Sequence, residues 1–110
     1  MPSTHPVMIV TGGSQGIGAA TARLAAARGY AVAISYRSAA DHAAGVVKAI
    51  RAHGGIALAV QADAASDADT VRLFETVDRE LGRVTALVNN AGITGPVTRL
   101  DHMTAALLDE

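Results

Sequence analysis

The chain has no cysteine, and among its 110 residues only Tyr30, Tyr36 and Phe74 are aromatic. Without cysteine there is no disulfide framework and no thiolate zinc site. Three aromatics cannot make a base-stacking platform. Net charge is also nearly absent: nine basic and ten acidic side chains leave a formal -1, with no Lys/Arg block. That removes the electrostatic footprint of a nucleic-acid binder. No apolar run approaches the roughly 18 residues that span a bilayer. Met1 to Val10 holds no Lys or Arg and only the short apolar run Val7 to Val10, so it does not read as a signal peptide. A soluble, cytoplasmic chain is the expectation, and the missing cysteines are compatible with a reducing compartment. Half of the residues are hydrophobic (50%), enough for a modest core, and no repeat or linker divides them. The sequence reads as one domain or part of one.

Short apolar runs alternate with longer segments of helical period. Val7-Met8-Ile9-Val10 is a continuous apolar run ended by Thr11-Gly12-Gly13, which reads as a strand buried on both faces. From Ile17 to Arg28 the apolar positions Ile17, Ala20, Leu24 and Ala27 fall on one helical face, and Gly29 is the stop signal. Ala31 to Ile34 reads as a second buried strand. Ser38 with Asp41 three residues on resembles a capping arrangement, and Ala43, Val46, Val47 and Ile50 mark the stripe of the helix that follows.

Ile56 to Val60 is a third strand. Ser66 is a good N-cap, Asp67 and Asp69 suit the positive end of a helix dipole, and Val71, Phe74, Val77 and Leu81 form the expected buried stripe. Thr85 to Val88 is a fourth strand, ended by the polar turn Asn89-Asn90-Ala91-Gly92. This alternation predicts an α/β fold: a Rossmann-type doubly wound parallel sheet with helices on both faces, three layers deep. Thr104 opens a further helical pattern that reaches Glu110 without a C-cap, and the fourth strand would be an apolar edge. The expectation is that residues 1–110 are the N-terminal part of a single Rossmann domain, cut inside its fourth helix.

The main chemical signal is Thr11-Gly12-Gly13-Ser14-Gln15-Gly16-Ile17-Gly18, between the first strand and the first helix. Glycine is needed where backbone turns tightly, approaches a phosphate, or lets a helix pack close on a strand. The helix N-terminus then offers free N–H groups and a positive dipole end to an anion. A mononucleotide P-loop fails, because Ala19 and Ala20 stand where Lys and Ser/Thr would grip phosphate and magnesium. The G-x-G-x-x-G fingerprint is absent too, the spacing being G-x-x-x-G-x-G through Gly12, Gly16 and Gly18.

That spacing after Thr11, with Asn89-Asn90-Ala91-Gly92 closing the fourth strand and Asp63 following the third, resembles the short-chain dehydrogenase/reductase family. Within it, the end of the fourth strand and the Tyr36-Arg37-Ser38 segment look most like 3-oxoacyl-carrier-protein reductases or glucose dehydrogenases. The resemblance implies that Gly12, Gly16 and Gly18 shape a pyrophosphate turn, with contacts from Ser14, Gln15 and Ile17. Asp63 and Ala64 would touch the adenine. Asn90, Ala91 and Gly92 would line the cofactor cleft, while Asn89 ties the strands together.

The nicotinamide cofactor is read at the end of the second strand, where an NAD enzyme wants an acid for the ribose 2′-OH. Tyr36-Arg37-Ser38 has none, and Arg37 suits a phosphate, so NADP(H) is expected over NAD(H). Gln15 stands where many NADP-preferring relatives carry a basic residue. The family's chemistry uses a Ser, a Tyr-x-x-x-Lys pair and a helical Asn. Ala44 precedes the only lysine, Lys48, by four residues, and Ile34 and Ala40 follow Tyr30 and Tyr36 by four, so no catalytic residue is assigned.

His5, His42, His53 and His102 show no metal-ligand spacing, and no metal site is expected. The resemblance implies an oxidoreductase interconverting an alcohol and a carbonyl, a homotetramer when full-length, with no nucleic-acid or membrane partner. The alternative is a non-catalytic dinucleotide-binding sensor or an inactive fragment.

Overall fold

Each apolar run becomes a strand and each longer periodic segment a helix crossing over to the next. The computed structural model describes residues 5–63 and 65–90. In chain order they form β1 (Val7–Thr11), α1 (Gly16–Ala27), β2 (Ala31–Tyr36), α2 (Ala40–Ala52), β3 (Ile56–Gln61), α3 (Asp67–Glu80) and β4 (Val84–Asn89). The strands pair in the order β3-β2-β1-β4, every pair parallel. Right-handed crossovers place α1 and α2 on one face of the sheet and α3 on the other, giving the expected three-layer Rossmann-type fold. Residues 104–110, the expected fourth helix, lie outside the described residues.

Because side chains alternate across a strand, successive residues feed two separate cores. Val10, Val32, Ile34 and Ala57 meet α1 and α2, with Ala22, Ala43 and Ile50 filling the space between. Val7, Ile9, Ala31, Ala33 and Val60 meet Leu73 and Val77 of α3. A strand apolar on both faces is what parallel pairing under two helical layers demands.

The packed face of α1 is not the one its hydropathy suggests. Gly18, Ala19, Ala22 and Ala25 are buried, whereas Ile17 is 75% and Leu24 56% exposed. Small residues win that face because the glycine turn brings the start of α1 against the end of β1, leaving no room for larger side chains. On α3 the buried pair is Leu73 and Val77, and Val71, expected in the stripe, is 58% exposed. The α2 stripe of Ala43, Val46, Val47 and Ile50 is buried as its period predicts.

The helix starts differ in their chemistry. Ser66 caps α3, its hydroxyl accepting the Asp69 N–H at 3.1 Å. The N-cap of α2 is Ala39, with no side-chain hydrogen bond, so the Ser38–Asp41 arrangement does not form. The helix begins two residues beyond Ser38, and Ser38 stays in the loop that leaves β2. At the other end of the sheet β4 carries an extra residue opposite β1, where the register slips between Val7 and Met8. Thr85 covers the slip: its hydroxyl accepts from Val7 N–H at 3.3 Å and donates to Val7 C=O at 3.1 Å.

Candidate functional site

β1 and β4 lie side by side at one end of the described strand order, although two other strands separate them in sequence. At such a switch point the connections leave toward opposite faces, and a crevice opens beyond the carboxyl ends of the strands. The glycine turn stands there. Gly12 and Gly16 take φ of 65° and 57°, the left-handed region that costs a side chain strain. Gly18 is needed for another reason: a Cβ on it would overlap the Gly12 carbonyl oxygen and stand 2.8 Å from Asn90 Nδ2.

Hydrogen bonds hold this turn from both neighbouring strands. From β4, Asn90 Nδ2 donates to Gly12 C=O at 3.2 Å. Thr11 Oγ1, at the end of β1, donates to Asn89 Oδ1 at 2.9 Å. From β2, buried Ser35 accepts the Gly12 N–H on its hydroxyl at 3.3 Å and the Gly13 N–H on its carbonyl at 3.1 Å. Two residues of this brace, Thr11 and Ser35, escape a reading for cofactor contacts. The available signal was a hydroxyl at the end of an otherwise apolar strand.

Beyond the turn, α1 starts at Gly16 with Gln15 as its N-cap and no side-chain cap hydrogen bond. Its first N–H groups are therefore without a side-chain acceptor, and Gln15, Gly16 and Ile17 are exposed. Oriented N–H donors, a positive dipole end and glycine access make this terminus complementary to an anion. Ser14, Gln15 and Gly16 line a groove that continues to Asp41 and His42 of α2. Gln15 Nε2 stands 2.6 Å from His42 Nδ1, a pairing across 27 residues that no local pattern announces.

At the end of β2, Tyr36 packs partly buried against the α1–α2 core, whereas Arg37 and Ser38 are exposed. Gln61 Nε2 donates to the Arg37 carbonyl at 3.1 Å, and Ala62 N–H to the Tyr36 carbonyl at 2.9 Å, so β3 fixes this strand end. Asp63 follows β3 and uses Oδ1 to accept the Ala65 N–H at 2.9 Å, an Asx turn leading into α3. Its own N–H donates to Asp69 Oδ2 at 2.8 Å. That bond, first, holds the Asp69 carboxyl below its ordinary value; partial burial opposes it and Arg72 nearby reinforces it.

The structure thus gathers Gly12, Ser14, Gln15, Gly16, Ile17, Gly18 and Asn90 around one turn, with Tyr36, Arg37, Ser38 and Asp63 at neighbouring strand ends. Ala64, Ala91 and Gly92 lie outside the described residues. Among the described residues no group of three or more His, Asp or Glu could hold a metal ion, and no helix is long and apolar enough to cross a membrane.

A parallel sheet of this order with a glycine turn at its switch point defines a Rossmann-type α/β protein. The chain belongs to the short chain dehydrogenase family, whose model matches residues 6–109. It is 45% identical over 91 residues to a 3-oxoacyl-[acyl-carrier-protein] reductase of Synechocystis sp., covering 83% of this chain and 37% of that protein. To the short-chain dehydrogenase/reductase homolog YusS of Bacillus subtilis it is 37% identical over 105 residues, covering 96% of this chain and 95% of the relative. Among solved structures, a blue fluorescent protein from a metagenomic library, in complex with NADPH, matches with a TM-score of 0.73 and 44% identity. That match covers 84% of this chain and 39% of the other. The chain therefore spans little more than a third of the length of two of these relatives and nearly all of the third.

Proposed function

We propose that the chain supplies the cofactor-holding, N-terminal part of a single Rossmann domain in an NADP(H)-dependent oxidoreductase that interconverts an alcohol and a carbonyl. The observation that carries the reading is the glycine turn at the β1–β4 switch point, braced by Asn90 and Ser35 and opening onto an uncapped α1 N-terminus. A dinucleotide pyrophosphate fits there: Gly16 stands in open space, Gly18 lets α1 close on the turn, and the start of α1 has no side-chain cap on its N–H groups. Gly12, Ser14, Gln15, Gly16, Ile17 and Gly18 would hold the pyrophosphate. Arg37 and Ser38, with Tyr36 behind them, would hold the adenosine ribose, Asp63 and Ala64 the adenine, and Asn90, Ala91 and Gly92 the cleft floor.

NADP(H) over NAD(H) follows from charge. No carboxylate stands at the end of β2 to bind a 2′-OH or repel a 2′-phosphate, and the exposed Arg37 guanidinium can meet a phosphate with two donors. The NADPH held by one similar structure supports the same choice. When bound, the cofactor supplies or accepts a hydride; this chain's own residues bind and orient it. By family resemblance the full-length protein is a cytoplasmic homotetramer whose partners are the dinucleotide and a small carbonyl or alcohol.

The test is titration of full-length protein with NADPH and NADH, followed by a screen for carbonyl-dependent NADPH consumption. Tight NADPH binding with turnover is expected. Binding without turnover of any carbonyl or alcohol would favour a dinucleotide sensor, and no binding would overturn both readings.

A further inference from the structure

Gln15 and His42 are both exposed, so no core packing forces them together, yet Gln15 Nε2 and His42 Nδ1 stand 2.6 Å apart. No other side-chain hydrogen bond engages His42 among the described residues. The pair bridges the amino ends of α1 and α2 across a groove that also touches Ser14 and Gly16 of the glycine turn. Arg37 and Ser38 follow β2 and lead into α2 through Ala39, at the same end of the sheet. A ribose 2′-phosphate held at Arg37 would lie at that same end.

We propose that His42, positioned by Gln15, is a second determinant of cofactor choice: as an imidazolium it holds the 2′-phosphate of NADP(H) together with Arg37, so that preference for NADP(H) rises as pH falls. The inference rests on the dinucleotide reading above and adds a residue and a pH dependence to it.

Imidazole is the side chain that changes charge between about pH 5 and 8. A Gln amide can serve it in either state, donating N–H to an unprotonated Nδ1 or, turned over, accepting from Nδ1–H. Gln15 therefore keeps the ring in place through protonation, and Nε2 remains the N–H for a ligand. The charged groups that line the groove with the ring are Asp41 from α2 and Arg23 from α1, and Arg37 lies in the segment between β2 and α2. An imidazolium gives a phosphate a charge-assisted hydrogen bond that the neutral ring does not, which links proton uptake to phosphate binding. Below about pH 6 the phosphate itself begins to lose charge, which sets the lower limit of the effect.

The experiment measures Kd for NADPH and NADH by calorimetric titration of full-length protein at about pH 6 and about pH 8, for wild type, H42Q and H42K. In wild type the ratio Kd(NADH)/Kd(NADPH) is expected to be about three- to tenfold larger at the lower pH. H42Q keeps a side chain able to hydrogen-bond Gln15 but carries no charge. Its ratio should stay flat or fall on acidification, near the wild-type value at the higher pH. H42K carries a fixed charge and should hold the higher preference at both pH values. A wild-type pH dependence surviving in H42Q, or an H42K ratio no higher than wild type at the higher pH, overturns the role of His42. A wild-type ratio that favours NADPH without changing with pH overturns it too, while leaving the dinucleotide reading intact. Failure of wild type to bind either dinucleotide overturns both.

Discussion

The side-chain amide of Asn90 donates to the carbonyl oxygen of Gly12 at 3.2 Å, joining the end of β4 to the turn that follows β1 across 78 residues of sequence. The same two groups enclose Gly18, where an added Cβ would overlap the Gly12 oxygen and crowd Asn90 Nδ2. Neither neighbour can give way easily. One is backbone in a turn already held by Ser35, and the other is a hydrogen-bonded amide.

Gly18→Ala is therefore expected to cost about 1–3 kcal/mol of stability, the range for forcing a methyl into a packed site. On the proposed reading it should also weaken NADPH binding by about tenfold or more, because α1 must move away from the turn that would hold the pyrophosphate. Urea denaturation and ligand titration read the two effects separately. A variant with an unchanged midpoint and unchanged affinity would show that the close approach is not required.

Arg37→Asp tests the charge at the end of β2. Arg37 is exposed and its carbonyl is tied to Gln61, so the backbone there does not depend on its side chain. NADPH should weaken by about tenfold or more, through loss of a charge-assisted contact and gain of a repulsive one. NADH should change by less than about threefold or bind more tightly, since a carboxylate at this place can accept from the ribose 2′-OH. Equal loss of both cofactors would remove Arg37 from the specificity site.

The order and type of the elements were legible because parallel strands under two helical layers are apolar throughout and their helices keep a 3.6 period. The α2 stripe is the clean case. On α1 the same reasoning picked the wrong face: Ile17 and Leu24 carry the stronger hydropathy, but backbone proximity at Gly18 admits only small residues on the packed side. The glycine turn and the Asn89-Asn90 pair could be picked out by spacing and context, and the structure brings them together through Gly12 and Thr11. The Gln15–His42 contact could not be seen beforehand, because the relative placement of two helix starts is a property of the sheet, not of either segment.

Ser66 holds the start of α3, its hydroxyl accepting the Asp69 N–H at 3.1 Å. Ser66→Ala should lower stability by about 0.5–2 kcal/mol, the usual cost of losing such a cap. Because α3 packs on the face opposite α1 and α2, the loss should leave the ratio of NADPH to NADH affinity unchanged. Denaturation midpoints combined with cofactor titration check both halves. A changed cofactor ratio would mean that α3 reports to the β2 end through Asp63.

Asp69 gives the fold a defined response to acid. Its carboxylate accepts the Asp63 N–H at 2.8 Å and faces Arg72 at 3.5 Å, and these partners hold its pKa below the ordinary value. In the unfolded chain both partners are lost and the carboxyl returns to the ordinary carboxylate range near pH 4. The unfolded state then binds the proton more readily than the folded one, so stability rises with pH across that interval. The contribution is complete above the ordinary value and is lost as pH falls through the lower, folded value. Asp69→Asn removes it. Wild type should exceed this variant in stability by a constant margin from neutral pH down to about pH 5, and the margin should shrink below about pH 4. Urea melts of both proteins across that range measure it directly, and a margin that persists undiminished well below about pH 3 would show that the Asp63–Asp69 contact does not depend on the carboxylate charge.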